Sequence, residues 1–185
     1  MRKAEVDGKQ IIVEGFRNVK IIDVEAFLKL AKERVDGCHI QFFDAGLIAG
    51  FDHLYFAALN AVKAFDAGRN ISKDLAVEIL LYASGQHQIE KAIQLLGIKS
   101  SSSQVAVLVL ADSSRNASKA LENVAGLLQG VRCDEIVEMT DDKVVQIKKT
   151  FNLKDAEIEA TLRNSEREAV TSLLVERAAL LAAQT

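Results

Sequence analysis

Residues 78–98, EILLYASGQHQIEKAIQLLGI, constrain the fold more than any other stretch of the chain. Two strongly apolar segments are interrupted by Ser84-Gly85-Gln86-His87-Gln88. Glycine is the natural left-handed residue for ending a helix, which suits Gly85. The apolar periodicity then restarts at Ile89, Ala92, Ile93 and Leu96, with i, i+3, i+4, i+7 spacing. Two helices therefore meet at a very short break. Such a break offers two glutamines, an imidazole and backbone N–H groups at a helix N-terminus, which suits phosphate or another polar ligand. It is equally an ordinary helix–helix connection, which needs no ligand.

The chain holds no proline, so its helices must stop at Gly, Asn, Asp or Ser, as at Gly68-Arg69-Asn70, Ser84-Gly85, Gly97 and Gly130. Residues 2–6, Asp7-Gly8 and residues 10–16 read as a hairpin, because Asp-Gly suits a type I′ turn. Asp23 is placed to cap a helix over residues 24–35, with Phe27, Leu30, Ala31 and Arg34 on successive turns. Residues 38–43 form a short β-prone run. Residues 51–67 form an amphipathic helix, with Phe51, Leu54, Tyr55, Ala58, Val62 and Phe65 inward.

Ser72 can cap the next helix, residues 73–84, which is apolar nearly all round and so buried. Glu78 within it needs either an exposed edge or a hydrogen bond to a neighbouring loop. VAVLVL, residues 105–110, reads as a strand buried on both faces. A helix over residues 117–129 follows, with Leu121, Val124 and Leu128 inward. Residues 131–139 are ambiguous, with an edge strand one reading. Thr140 can cap a helix running to Phe151. Ser165 with Glu168 makes a capping box opening a final helix, whose inner stripe is Val170, Leu173, Leu174, Arg177 and Leu181. The sum predicts one α+β domain over residues 1–185: a small, largely antiparallel sheet of four or five strands covered by about six or seven helices.

Composition removes several function classes. A 49% hydrophobic, 26% charged chain is globular. Net charge −3 and a pI of about 5.7 argue against affinity gained by coating a nucleic acid backbone. Five acids and no Lys or Arg lie between Asp134 and Asp142, so an RNA face is expected elsewhere and the run reads as a solvated loop opening a helix. The longest apolar run, residues 105–111, falls far short of the ~20 residues of a membrane span. Residues 1–10 lack an apolar leader core. The expectation is a cytoplasmic protein without membrane contact, and Cys38 and Cys133, widely separated, are expected as reduced, buried thiols.

Catalytic chemistry is sparse. His39, His53 and His87 lack ligand spacing, so no metal is expected. No phosphate-binding lysine loop or Gly-x-Gly-x-x-Gly is present, so no cofactor or small-molecule substrate is expected. Aromatic content of 5% without Trp is too thin for an extended base-stacking platform. Ser84, His87 and Glu78 can be drawn as a triad, but no nucleophile elbow accompanies them.

Residues 43–112 resemble the PRPK-binding (TPRKB-like) accessory subunit of the KEOPS (EKC) complex. The likeness rests on Asp44, Gly50 and His53 in FDAGLIAGFDHL, on Ala57 and Ala61, and on Gly68-Arg69-Asn70. It continues through Glu78-Ile79-Leu80, Ser84 to Ile89, Ala92-Ile93 and Gly97-Ile98 into the VAVLVL strand. The resemblance implies a non-catalytic, intracellular subunit of the machinery that threonylcarbamoylates an adenosine beside the anticodon of tRNA. Such a subunit binds and stimulates an atypical kinase/ATPase subunit and helps recruit tRNA by its 3′ CCA end.

On that resemblance the RNA contacts are Ser84, Gly85, Gln86, His87 and Gln88, with Lys63, Arg69 and Lys73 as nearby cations in sequence. The family more often has arginine at the position of His87, so a stacking or hydrogen-bonding role replaces a fixed charge there. The apolar surplus at Leu95, Leu96 and Ile98 is the candidate kinase surface, or else it is core. Two alternatives stand beside this reading. One is a protein-interaction module that activates the kinase without touching RNA; the other is a small hydrolase using Ser84 and His87.

Overall fold

Asp7 and Gly8 take φ of 48° and 79°, the left-handed pair that a type I′ turn requires. They fold β1 (Arg2–Val6) back onto β2 (Lys9–Arg17) with Val6 opposite Lys9. The computed structural model describes residues 1–184. β2 pairs with β4 (Gln104–Ala111), and β4 with β3 (Cys38–Asp44), giving the order β1-β2-β4-β3 with every pairing antiparallel. A two-residue β5 (Val131–Arg132) joins β2 at Phe16 and Arg17, beyond the end of β1.

The continuous apolar run in β4 is explained by its central place. Ala106, Leu108 and Leu110 enter one core while Val105, Val107, Val109 and Ala111 enter another. A strand flanked by partners and covered on both faces has no side left for polar residues. The second face is covered by α1 (Val24–Glu33) and α5 (Ser114–Leu128), whose Leu121, Val124 and Leu128 are fully buried. The first is covered by α2 (Phe51–Asp66), α3 (Leu75–Ser84), α4 (Ile89–Leu96), α6 (Asp141–Thr150), α7 (Asp155–Thr161) and α8 (Glu166–Gln184). The architecture is α+β, a helix-covered antiparallel sheet, with eight α-helices among the described residues.

The extra helix is α7, seven residues or about two turns, started by the Glu157 carboxylate, which accepts from the Lys154 N–H at 2.7 Å. Helix starts shift where a second cap competes. α3 opens at Asp74, whose carboxylate accepts from the Ala76 N–H, and Ser72 instead accepts from the Asp74 N–H. α5 begins three residues before the expected position because Ser113 accepts from the Asn116 N–H. Ser165 does accept from the Glu168 N–H, but the Glu168 carboxylate bonds Asn164 and does not reach back to close the box.

Several faces are also less buried than their periodicity implies. Leu30 is 41% exposed, and Phe51, Tyr55 and Phe65 are half-buried. Both cysteines are free and half-buried, where burial was expected. Among the described residues no helix is long and apolar enough to cross a membrane.

Candidate functional site

α3 ends in a Schellman motif: the Gly85 N–H donates to Tyr82 O at 3.2 Å and the Gln86 N–H to Leu81 O at 3.1 Å, with Gly85 at φ 61°. The last carbonyls of α3 are thereby satisfied, and the chain leaves sharply. α4 starts four residues later with Gln88 as an extended N-cap (φ −107°, ψ 122°) that makes no side-chain cap bond. Its opening N–H groups therefore lack the acceptor that Ser, Thr, Asp or Asn would supply. His87 and Gln88 are exposed, while Gly85 and Gln86 are half-buried.

Ser84 does not belong to this polar surface. It is 2% exposed and its hydroxyl donates to Leu81 O at 3.0 Å, within its own helix. Glu78, fully buried, accepts from the Ile71 and Ser72 N–H groups at 3.0 and 2.6 Å. Both ends of the triad drawn on paper are thus committed to backbone, and the carboxylate's role is the loop bond that the sequence left open.

What holds the turn in place is His53. It is fully buried; its Nε2–H donates to Ala83 O at 2.8 Å and its Nδ1 accepts from the Ala49 N–H at 3.2 Å. This arrangement fits a neutral ring. Burial, with Lys143 nearby, lowers its pKa to about 4, against the opposing pull of the Ala83 carbonyl. The imidazole thus pins the C-terminal end of α3 to the N-terminal end of α2.

That pin separates the sequence-predicted cations from the turn. α2 and α3 run antiparallel, so Lys63, Arg69 and Lys73 lie at the far end of the pair. Ten residues of α3 at ~1.5 Å each put them about 15 Å away. All three are exposed, but they do not join the turn. A cation missed at first lies closer, on α8. A side chain starting at Gly85 would sit 3.6 Å from the Arg177 Cβ. The Arg177 guanidinium donates to Phe151 O and lies 3.7 Å from Glu157. Its signal in the sequence was a charge placed within the apolar stripe of the last helix.

The candidate kinase residues need the same correction. Leu96 and Ile98 are 0% and 6% exposed, and the half-buried Leu95 packs on the first core. The cause is Gly97, which bridges to Phe43 on the edge of β3 and pulls this end of α4 onto the sheet. A side chain at Gly97 would meet Ile93 O at 2.6 Å, so the chain's exit from α4 requires glycine. The apolar residues that α4 does present are Ile89 and Ile93, 40% and 49% exposed.

Among the described residues no group of three His, Cys, Asp or Glu could hold a metal ion. The acidic run is a salt-bridged surface: Asp134 meets the N-terminal ammonium, Glu138 meets Arg2, and Asp141 meets Arg167.

Comparison with known proteins matches residues 16–182 to the family described as kinase binding protein CGI-121. The regulatory protein Cgi121 of Methanocaldococcus jannaschii is 27% identical over 118 residues, 64% of this chain and 73% of that protein. The KEOPS complex subunit Cgi121 of Pyrococcus abyssi is 42% identical over 48 residues, 26% of this chain and 28% of that protein.

Proposed function

The chain belongs to the kinase binding protein CGI-121 family, and from that membership we propose that it is a regulatory, non-catalytic subunit of a KEOPS complex. In this reading it binds and stimulates the complex's atypical kinase/ATPase subunit. It also holds the single-stranded 3′ CCA end of tRNA at the α3–α4 turn, in the cytoplasm.

One observation carries the RNA contact. His87 and Gln88 are exposed directly before a helix whose N-cap supplies no side-chain acceptor, with Ile89 and Ile93 exposed beside them. A phosphate can take the opening N–H groups. A base can lie on the imidazole and the isoleucine side chains, as single-stranded RNA ends commonly do on flat or apolar surfaces. Arg177 starts beside the turn, but its guanidinium is held by Phe151 O and Glu157, so the contact rests on the N–H groups and not on a basic patch. Affinity should then fall gently with salt, by ~0.7 log unit per log unit of salt for each phosphate contact.

The test compares intact tRNA with the same tRNA lacking its 3′-terminal nucleotides. The reading expects a loss of binding on trimming and a parallel loss in His87→Ala. A second reading, a kinase-activating module that never touches RNA, is favoured by the distance of Lys63, Arg69 and Lys73 from the turn. Equal affinity for both RNAs would select it.

A further inference from the structure

We propose that the cleft between α2 and α8 is the surface that grips the kinase partner, and that its occupant is a segment presenting a Lys or Arg flanked by apolar residues. The inference rests on the kinase-binding reading and adds a place and a chemistry to it. The cleft has a volume of about 600 Å³. Thr171 of α8 donates to Ala49 O just ahead of α2. Asp52 and Phe56, one helical turn apart on α2, line this cleft together with Glu168, Val175, Glu176 and Ala179 on α8.

The charges on these walls are unbalanced. The two cations of the cleft are already committed: Arg2 pairs with Glu138 at 2.9 Å, and Arg167 makes two bonds of 2.7 Å to Asp141. Asp52 and Glu176 have no cation within ion-pair distance among the described residues, and Glu168 bonds only the neutral Asn164. Three carboxylates thus face a half-apolar cleft without a cationic side-chain partner among the described residues. RNA is repelled by such a surface, and a basic protein segment is attracted to it.

The apolar half sets the rest of the occupant. Phe56 is 38% exposed and ends an aromatic row in which Phe51 packs on Tyr55 and Tyr55 on Phe56, with centroids 6.0 and 5.2 Å apart. Arg2 already lies over the other end of this row, 5.9 Å from the Phe51 centroid. The open Phe56 end offers an incoming guanidinium or ammonium the same contact, with Asp52 one turn away to neutralise it. Long basic side chains also bring an aliphatic stem to lay along Val175 and Ala179.

The experiment titrates the full chain against the purified kinase/ATPase subunit, with intact tRNA as a parallel ligand. Phe56→Ala is expected to weaken kinase binding by about 30-fold or more, as loss of a central aromatic contact does. The surface change Glu176→Arg, which does not threaten folding, is expected to weaken it at least tenfold and to flatten its salt dependence. Both should leave tRNA binding within twofold of the native chain. Native-like kinase affinity in both variants overturns the cleft alone and leaves the kinase-binding reading standing. Failure of the native chain to bind the kinase overturns that reading and the cleft with it. Equal loss of tRNA and kinase binding in Glu176→Arg also overturns the assignment, because the cleft would not then be specific to the protein partner.

Discussion

The α2–α3 and α3–α4 junctions begin identically and end differently. Each opens on a Schellman glycine, Gly68 at φ 65° and Gly85 at φ 61°. In the first, Glu78 reaches back from α3 to take the Ile71 and Ser72 N–H groups, Asn70 donates to Ser72 O, Ser72 accepts from Asp74, and Asp74 caps Ala76. In the second, Gln88 starts α4 without a side-chain cap. The same local signal thus closes one junction on itself and leaves the other with hydrogen-bonding capacity for a visitor. A glycine break marks where a helix ends. What happens to the next few N–H groups decides whether the break is structural or a candidate site.

The largest expected effect breaks the closed junction. Glu78→Ala strands the buried Ser72 N–H and the half-buried Ile71 N–H that now share a carboxylate, which should cost about 3 kcal/mol of stability. Urea unfolding measures it. At low temperature, where the variant is folded, tRNA binding should persist, because the open junction does not use Glu78. A cost below about 1 kcal/mol would mean that water replaces the carboxylate and that the two junctions are more alike than their bonds indicate.

Next comes acid. The folded pKa of His53, about 4, lies below the ordinary value near 6.5. Between these values the unfolded chain takes up a proton that the folded chain refuses, so stability falls as pH falls through this window. The slope is about 1.4 kcal/mol per pH unit and the total roughly 3 kcal/mol by pH 4. Denaturant midpoints across pH 4–7 check this, and His53→Gln, which has no proton to gain, should flatten the slope. Protonation removes the acceptor for the Ala49 N–H. The start of α2 should therefore loosen first, readable as faster amide exchange at Ala49, while the Nε2–H bond to Ala83 O persists.

Gly68→Ala and Gly85→Ala should each cost about 1 kcal/mol, the strain of a left-handed alanine. Open space surrounds Gly68, and a Gly85 side chain would meet Arg177 at an ordinary 3.6 Å. Equal costs would place the difference between the junctions downstream of the glycines. A much larger cost at Gly85 would instead tie the open junction rigidly to α8.

These particulars show what a sequence can carry. The hairpin was legible because Asp7-Gly8 needs two positive φ angles, and the β4 core because six apolar residues in a row leave no solvent face. The α3–α4 break was legible from Gly85 and the resumed periodicity. Exposure was not. Ile89, Ala92, Ile93 and Leu96 share a helical stripe, yet only Ala92 and Leu96 are buried, so the edge of α4 that meets the core is narrower than the stripe, and the Gly97–Phe43 bridge fixes the end of the helix at the sheet. That bridge joins residues over 50 positions apart, and no window of sequence contains it. Lys63, Arg69 and Lys73 are near the turn in number but a helix length away in space. Arg177, almost a hundred positions on, lies beside it.

The smallest effect sharpens the comparison most. Gln88→Asp gives α4 the acceptor that it lacks, with the carboxylate placed to take the Glu90 or Lys91 N–H. It should stabilise the protein by about 0.5–1 kcal/mol, a rise of roughly 1–4 °C in Tm. If the open junction serves a nucleotide tail, the gain comes with a loss. The new carboxylate occupies the N–H groups and repels phosphate, so affinity for intact tRNA should drop several-fold while kinase binding stays unchanged. Gln88→Ser separates the two causes, because its hydroxyl caps without charge and should give an intermediate loss. A chain that gains stability in both variants and keeps its full tRNA affinity would show that these N–H groups face only water. The two junctions would then differ in bonding but not in use.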